Sequence, residues 1–553
     1  MKRNLSQITN SLYDLLVIGG GIYGAFTAWD AALRGLSVAL VERQDFGGAT
    51  SANSQKIIHG GFRYLQHGDF KRMRESIRER TNLMRIAPHL IHPLPVLIPT
   101  YGHGMRGKEL LKLALNIYDF IGFNRNSLSD PEKKIPCGKS FSRNEALRLL
   151  PLLPQEGLTG AGVFYDASVY NSERLVISLL KSAEKKGAQC ANYVKVIGFI
   201  QEKDAVAGVE CKDLLGGECF PVRARMVVNT SGPWLYHVLS LLDHYRQVQF
   251  PLIKSFNVIT RPLFEKYAVG IYGKNPYQDK DNLLNKGTRL FFVTPWRDHS
   301  VVGTALSPFN GNPDDLQVTT EEIQKFLDDF NEACPDAKLK MEDISFLHQG
   351  FLPNSIMDHQ SRSGEVRIQK KYHIIDHRVD GIKGLISVMG VKYTTARDVA
   401  KKVVDHVFEC WGEKPPKSLS AFTRIEGGDI EKFEDFLTGE IKKRSFGLDT
   451  SLISSLVFNY GSIYHKVLSL LGGETMGHDG LLKAQVLYSV REEMAQKLSD
   501  VVLRRTELGS AGKPTDHVLK VCAETMGQEL KWNFEKIETE LQEMKVFFKR
   551  FIK

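Results

Sequence analysis

The sequence predicts an α/β chain: a Rossmann-like nucleotide-binding unit at the N-terminus, a sheet-based second unit interleaved with it, and an all-α C-terminal unit. Three observations carry this prediction. Residues 13–42 read as strand, glycine-rich turn, helix and strand, the unit from which dinucleotide-binding sheets are built. Strand-sized apolar pieces then alternate with turns to about residue 425. Past Gly427 and Gly428, apolar positions recur at helical spacing to the end, with almost no strand pattern. The expected units are therefore 1–425 and 426–553.

Each element has its local reason. Asp14–Ile18 and Ser37–Val41 are short apolar runs bounded by turn residues, hence strands; Ala25–Arg34 is the helix between them, stopped by Gly35. Phe70–Ala87 is a charged amphipathic helix ended by Pro88. Tyr193–Ile200, Ala205–Glu210, Met226–Asn229, Arg289–Thr294 and Leu385–Met389 read as further strands.

Composition narrows the class. At 553 residues the chain exceeds what one core serves, and its 42% hydrophobic and 25% charged residues are those of a globular protein. A formal charge of +9 suits anionic substrates or an acidic membrane surface; nucleic acid is not an expected partner. Seven scattered cysteines without a CxxC pair argue against a disulfide framework or a structural zinc, and for a reducing cytoplasm. No metal site is expected. No run of eighteen apolar residues occurs, so no bilayer-spanning helix is expected. Attachment to one leaflet stays open, because Gly107–Gly122 and Met544–Lys553 interleave cations with bulky apolar residues.

Gly19-Gly20-Gly21-Ile22-Tyr23-Gly24 contains G-x-G-x-x-G directly after a strand. Gly19 makes the tight turn, Gly21 admits a pyrophosphate against the backbone, and Gly24 lets helix and sheet close up. The helix N-terminus offers N–H groups and a positive dipole end to the diphosphate. Glu42 ends the second strand, where a carboxylate accepts the ribose hydroxyls and disfavours a 2′-phosphate. FAD and NAD share this pattern, and its position at the very start of the chain favours FAD.

The next segment, DFGGATSANSQKIIHGGFRYLQHGDF at 45–70, closely resembles the signature of FAD-dependent glycerol-3-phosphate dehydrogenases and oxidases. The resemblance is collinear through MRIAPHLIHPLPVLIP (84–99), VVNTSGPW (227–234), FFVTPWRDHSVVGT (291–304), SVMGVKYTTAR (387–397) and LYSVREEMAQKLSDVVLRRTELG (487–509). It implies a fold of the glutathione-reductase/D-amino-acid-oxidase type, with FAD held between the nucleotide unit and the second sheet. It also implies oxidation of sn-glycerol 3-phosphate to dihydroxyacetone phosphate, hydride passing to flavin and electrons onward to a membrane quinone. A peripheral position on the inner face of the cell membrane follows from the same resemblance.

The resemblance places Thr50 and Ser51 on the pyrophosphate or ribityl chain, Gly232 in a second flavin-contacting turn, and the N–H groups of Gly390 and Val391, before a helix start, at the pyrimidine end of the flavin. It assigns Arg63, Tyr64 and Lys392 to the substrate phosphate and His59 to proton transfer or loop orientation. Three positions depart from the family pattern. The turn arginine of Gly-x-Arg-Pro is Leu352 in Gly350-Phe351-Leu352-Pro353, a second arginine is replaced by Lys370, and an active-site histidine is Asn257. Arg362 and Arg367 stand near enough in sequence to compensate. The alternatives are a sister flavoprotein acting on another hydroxyl compound (polyol, sugar phosphate or hydroxy acid) and a flavin-bound scaffold of low turnover.

Overall fold

A computed structural model describes residues 1–102, 107–243, 251–276, 288–355, 366–444, 447–471 and 478–549. Arg362 therefore lies outside the described residues. The fingerprint forms as expected: strand Leu12–Ile18, helix Ile22–Leu33 and strand Val38–Val41. The fingerprint helix is almost wholly buried from Ile22 to Ala32, because it packs against helices Ser172–Glu184 and Ala396–Cys410 as well as against the sheet.

The first sheet runs in the order 373–376, 385–389, 219–229, 12–18, 38–41, 189–191, with the hairpin 194–202/205–213 added at strand 219–229. Strands 385–389, 219–229, 12–18, 38–41 and 189–191 are mutually parallel. Four of them lead directly into Gly19, Glu42, Thr230 and Gly390, so these loops leave the sheet at one rim. An open parallel sheet binds its ligand at that rim, beyond the carboxyl ends of the strands.

The second sheet has the order 344–353, 252–260, 299–309, 288–296, 268–276, 91–101, 158–169, 57–58. It is antiparallel apart from the 268–276/91–101 pair. Its hairpin Thr288–Trp296/His299–Phe309 is the one expected from residues 291–304. Gly350–Pro353, which the resemblance makes a turn, is instead the end of strand Ile344–Pro353, paired with 252–260. Leu352 is consequently fixed by a ladder opposite Ile253.

From Phe433 onward the described elements are helices. One helical cluster closes on itself around Phe433, Tyr460 and Tyr464; another continues into the second sheet through Ile259, Trp296, Val301 and Phe346. The final helix Phe534–Lys549 corrects one expectation. Met544 and Phe548 are buried, and the Phe547 and Phe548 rings both lie 6.1 Å from Phe346. Those apolar residues serve the core rather than a membrane; residues 550–553 lie outside the described part.

Candidate functional site

A single cavity of about 1610 Å³ opens at the carboxyl rim of the first sheet and extends beneath the second. Ordinary small-molecule sites hold about 300–1,000 Å³, so this one has room for a dinucleotide with a small substrate beside it. Of the sequence-predicted residues, Gly19, Gly21, Glu42, Thr50, Ser51, His59, Arg63, Tyr64, Gly232, Asn257, Gly390, Val391 and Lys392 all line it. Gly24 does not, for a physical reason. A Cβ there would lie 1.9 Å from the Gly19 carbonyl oxygen, so this glycine serves packing behind the turn.

The nucleotide end fits FAD. Gly19 has φ +101°, available to glycine and costly for other residues. A Cβ on Gly21 would approach only Ser51 Oγ, at 3.2 Å, so this face of the helix start is open to the cavity. Ser51 Oγ accepts the Ile22 N–H at 3.0 Å, leaving its own proton to donate. Thr50 sits 3.4 Å from the Phe351 backbone and ties this loop to the second sheet. Glu42 accepts the N–H groups of Gly20 and Gln44 at 2.7 and 2.8 Å, and each carboxylate oxygen keeps a further lone pair for a ribose hydroxyl. Burial pushes its pKa up, while those two bonds oppose the shift.

The far end of the fingerprint differs from expectation. The Val391 N–H is engaged by the Tyr23 hydroxyl at 3.1 Å, as is the Lys392 N–H, and that hydroxyl donates to the Lys392 carbonyl at 2.7 Å. The helix begins only at Ala396. Val391 is thus held by protein rather than poised as a free donor at a helix start. Gly390 is glycine because its Cβ would meet the Tyr23 ring at 2.1 Å. Burial pushes the Tyr23 phenol up to about 12, so it stays protonated and holds the 390–392 segment at neutral pH.

That segment delivers Lys392 to the substrate end. Its Nζ lies 4.0 Å from the centre of the Tyr64 ring, with the Arg72 guanidinium 4.8 Å from the same ring. Burial lowers the Lys392 ammonium from its ordinary value to about 8. Arg63 and Tyr64 stand in the short helix Phe62–His67, which Gly61 starts at φ +85°. Lys370, Lys371, Arg367 and Arg289 also line the cavity. Arg367 is held beside Asn354 and Ser355, just past Leu352, by its backbone, whose N–H donates to Asn354 Oδ1 at 3.0 Å while the Ser355 N–H donates to its carbonyl at 2.8 Å. The segment 366–369 therefore folds back onto the strand end that carries Leu352.

His59 is half-exposed in the cavity, with Nδ1 3.4 Å from Asp166 Oδ2. Asp166 is buried, accepts the Gly60 N–H at 2.5 Å and pairs with Arg80 at 3.1 Å; Arg80 in turn donates to the Tyr118 hydroxyl at 2.9 Å. A Cβ on Gly60 would meet that hydroxyl at 2.0 Å and Arg80 Nη1 at 2.2 Å, which explains the second residue of His-Gly-Gly. Asn257 is buried and accepts the Thr304 hydroxyl at 2.9 Å.

Sequence reasoning missed Tyr23, Asp166, Arg80, Arg289 and Lys371, and also the anchor of the flavin-side loop. Asp45 is clasped by Nη1 and Nη2 of Arg505 at 2.6 and 2.7 Å and by Nε of Arg504, whose Nη2 reaches Asp500 at 2.7 Å. Tyr193 donates to the same Asp500 at 2.6 Å. All of these groups are buried. Asp45 opens the DFGG stretch and Arg504-Arg505 lies in LRRTELG, so both ends were among the recognised segments; their pairing was not.

Residues 14–396 match the family model described as FAD dependent oxidoreductase, and residues 419–537 that of the C-terminal domain of alpha-glycerophosphate oxidase. A glycerol-3-phosphate dehydrogenase of Synechocystis is 30% identical, the alignment covering 98% of this chain and 97% of that protein. An aerobic glycerol-3-phosphate dehydrogenase of Staphylococcus haemolyticus is 31% identical over 92% of this chain and 88% of its own length. The solved structure of a Bacillus halodurans glycerol-3-phosphate dehydrogenase complexed with FAD superposes with a TM-score of 0.76 at 26% identity, covering 99% of this chain and 96% of that one.

Proposed function

The chain belongs to the FAD-dependent oxidoreductases, on the glycerol-3-phosphate dehydrogenase branch, and from that premise we propose that it oxidises sn-glycerol 3-phosphate to dihydroxyacetone phosphate. The observation that carries the reading is one continuous cavity. It joins the Gly19–Tyr23 turn to the cations Arg63, Lys392, Arg367, Lys370 and Lys371.

Gly19, Gly21, Glu42, Thr50, Ser51 and Gly232 would hold FAD, which would supply the acceptor for the hydride of the alcohol carbon. The protein's part is binding, orientation and proton handling. Arg63 and Lys392 hold the phosphate, Arg63 by its planar fork and Lys392 as a point charge. Arg367 and Lys370 supply the cations that Leu352 does not. Tyr64, between Lys392 and Arg72, sets where the phosphate ends. His59, kept in place by Asp166, takes the hydroxyl proton as the carbon is oxidised. Asn257, with Thr304, contributes an amide dipole where the family pattern has an imidazole.

The onward acceptor is a quinone, taken at a membrane surface. Helix Lys108–Ile121 supports this: Leu110, Leu111 and Ala114 line the cavity, while Leu113, Ile117 and Phe120 are exposed, with Phe123 just beyond. Phe120 is 81% and Phe123 73% exposed. Arg74 lies 4.9 Å from the Phe123 ring, giving the patch a cation at its edge. No described helix is long and apolar enough to cross a membrane, and an interfacial helix needs only one such face.

The deciding test is anaerobic bleaching of the bound flavin by a panel of alcohols. Glycerol 3-phosphate should reduce it within the time of mixing, ahead of polyols, other sugar phosphates and hydroxy acids. Bleaching by one of those instead would move the chain to a sister activity. Full retention of the oxidised spectrum with every compound would leave a scaffold.

A further inference from the structure

At the outer edge of the first sheet, away from the cavity, three side chains of different chemistry converge. Asp376 ends the edge strand His373–Asp376, while His406 and Cys410 sit one turn apart on one face of helix Ala396–Cys410. We propose that Asp376, His406 and Cys410 form a binding site for a borderline-soft divalent cation of the Zn²⁺ class, completed by water as fourth ligand.

The spacing suits that ion. With metal–ligand bonds of about 2.0–2.3 Å, tetrahedral ligand atoms stand roughly 3.3–3.8 Å apart. Asp376 Oδ2 is 3.7 Å from Cys410 Sγ and 2.8 Å from His406 Nε2, and all three ligand atoms lie within 4.8 Å of one another. Small rotations at His406 and Asp376 close the set. The imidazole also has the outer partner that metal-bound histidines usually have, since its Nδ1 faces the Glu409 carboxylate at 3.2 Å. Oxygen, nitrogen and sulfur ligands together favour Zn²⁺ over the harder Mg²⁺ or Ca²⁺.

One group competes with the ion. Arg378 donates to Asp376 Oδ2 through Nε at 2.8 Å and Nη2 at 2.6 Å. Its side chain is half-exposed and can swing into solvent, whereas the helix residues cannot leave. Cys410 Sγ donates to Asp376 Oδ2 at 3.7 Å, so the sulfur waits as a thiol. Binding breaks the S–H bond, forms the metal–thiolate bond and releases one proton to the buffer. Bound metal would staple the edge strand, whose other end, His373, lines the cavity, to the helix.

The holoenzyme, freed of adventitious metal and carrying Cys137→Ser and Cys219→Ser to remove the two exposed thiols, is titrated with Zn²⁺ by calorimetry. One equivalent should bind, with about one proton released per ion, read from the dependence of the heat on buffer. His406→Ala and Cys410→Ser should each weaken binding at least about tenfold at unchanged FAD content, and Glu409→Gln by about tenfold. Arg378→Ala should tighten it, because the competing cation is gone. Absence of saturable binding, or binding indifferent to both His406→Ala and Cys410→Ser, overturns the site.

Discussion

Lys392 offers a test in which sign matters more than size. Its ammonium is pulled down to about 8 by burial, a displacement worth about 3 kcal/mol at 1.36 kcal/mol per unit. If Lys392 binds phosphate as a cation, the competent free enzyme is the protonated one. That form makes up about nine-tenths of the enzyme at pH 7 and about one-tenth at pH 9. The substrate phosphate, with its second pKa near 6, is almost wholly dianionic above pH 7, where this limb falls. The ratio kcat/KM for glycerol 3-phosphate should therefore fall through pH 8, about tenfold per unit at higher pH, chiefly through KM. Lys392→Arg keeps its charge to above pH 12 and should remove that limb. Lys392→Met should lower kcat/KM by about ten- to 150-fold at pH 7, the 1.5–3 kcal/mol of one charge-assisted bond, with flavin still bound. Steady-state kinetics from pH 6 to 10 read all three. A limb that rises through pH 8 would make Lys392 a neutral amine acting as base. A falling limb that persists in Lys392→Arg would belong to another group.

Leu352→Arg should restore a cation at the ladder position opposite Ile253 and lower KM for glycerol 3-phosphate roughly tenfold; loss of activity would mean that Leu352 packs on an apolar part of a different substrate. Phe120→Ser with Phe123→Ser should abolish sedimentation with vesicles rich in anionic lipid while leaving flavin reduction intact, and unchanged sedimentation would place the contact elsewhere. Asp45→Asn should cost about 3–5 kcal/mol, because it leaves Arg505 buried without its countercharge and Arg504 with Asp500 alone. It should be read both as a lower melting temperature and as FAD lost on gel filtration. Full flavin content in a destabilised protein would mean that the anchor serves the fold alone.

The readable part of this molecule was the local part. Strand, turn, helix, strand and Glu42 lie within thirty or so residues, and both the positive φ of Gly19 and the close approach of Gly24 to the Gly19 carbonyl are set within one turn. Helix 70–86 was legible from its periodicity and from Pro88. What escaped joins distant segments. Asp166 meets the His59 loop from a strand of the second sheet, and Tyr23 meets Lys392 across 369 residues. Nothing in periodicity reports such a meeting. The terminal helix misled for a related reason: cations interleaved with phenylalanines describe an interfacial helix and a helix with one buried face equally well. Only Phe346 opposite Phe547 and Phe548 decides between them.

The clasp on Asp45 also bears on how the protein acquires its cofactor as it is made. The loop that walls the nucleotide end is synthesised early, while its arginine partners follow 459 and 460 residues later. Domains fold from the N-terminus as the chain emerges, yet this loop has no arginine countercharge until those 459 and 460 further residues have been made. If the clasp holds the flavin-side loop, flavin capture comes only after Arg504 and Arg505 have been made. Chains cut short before Arg504 would carry every glycine of the fingerprint and still hold their flavin poorly.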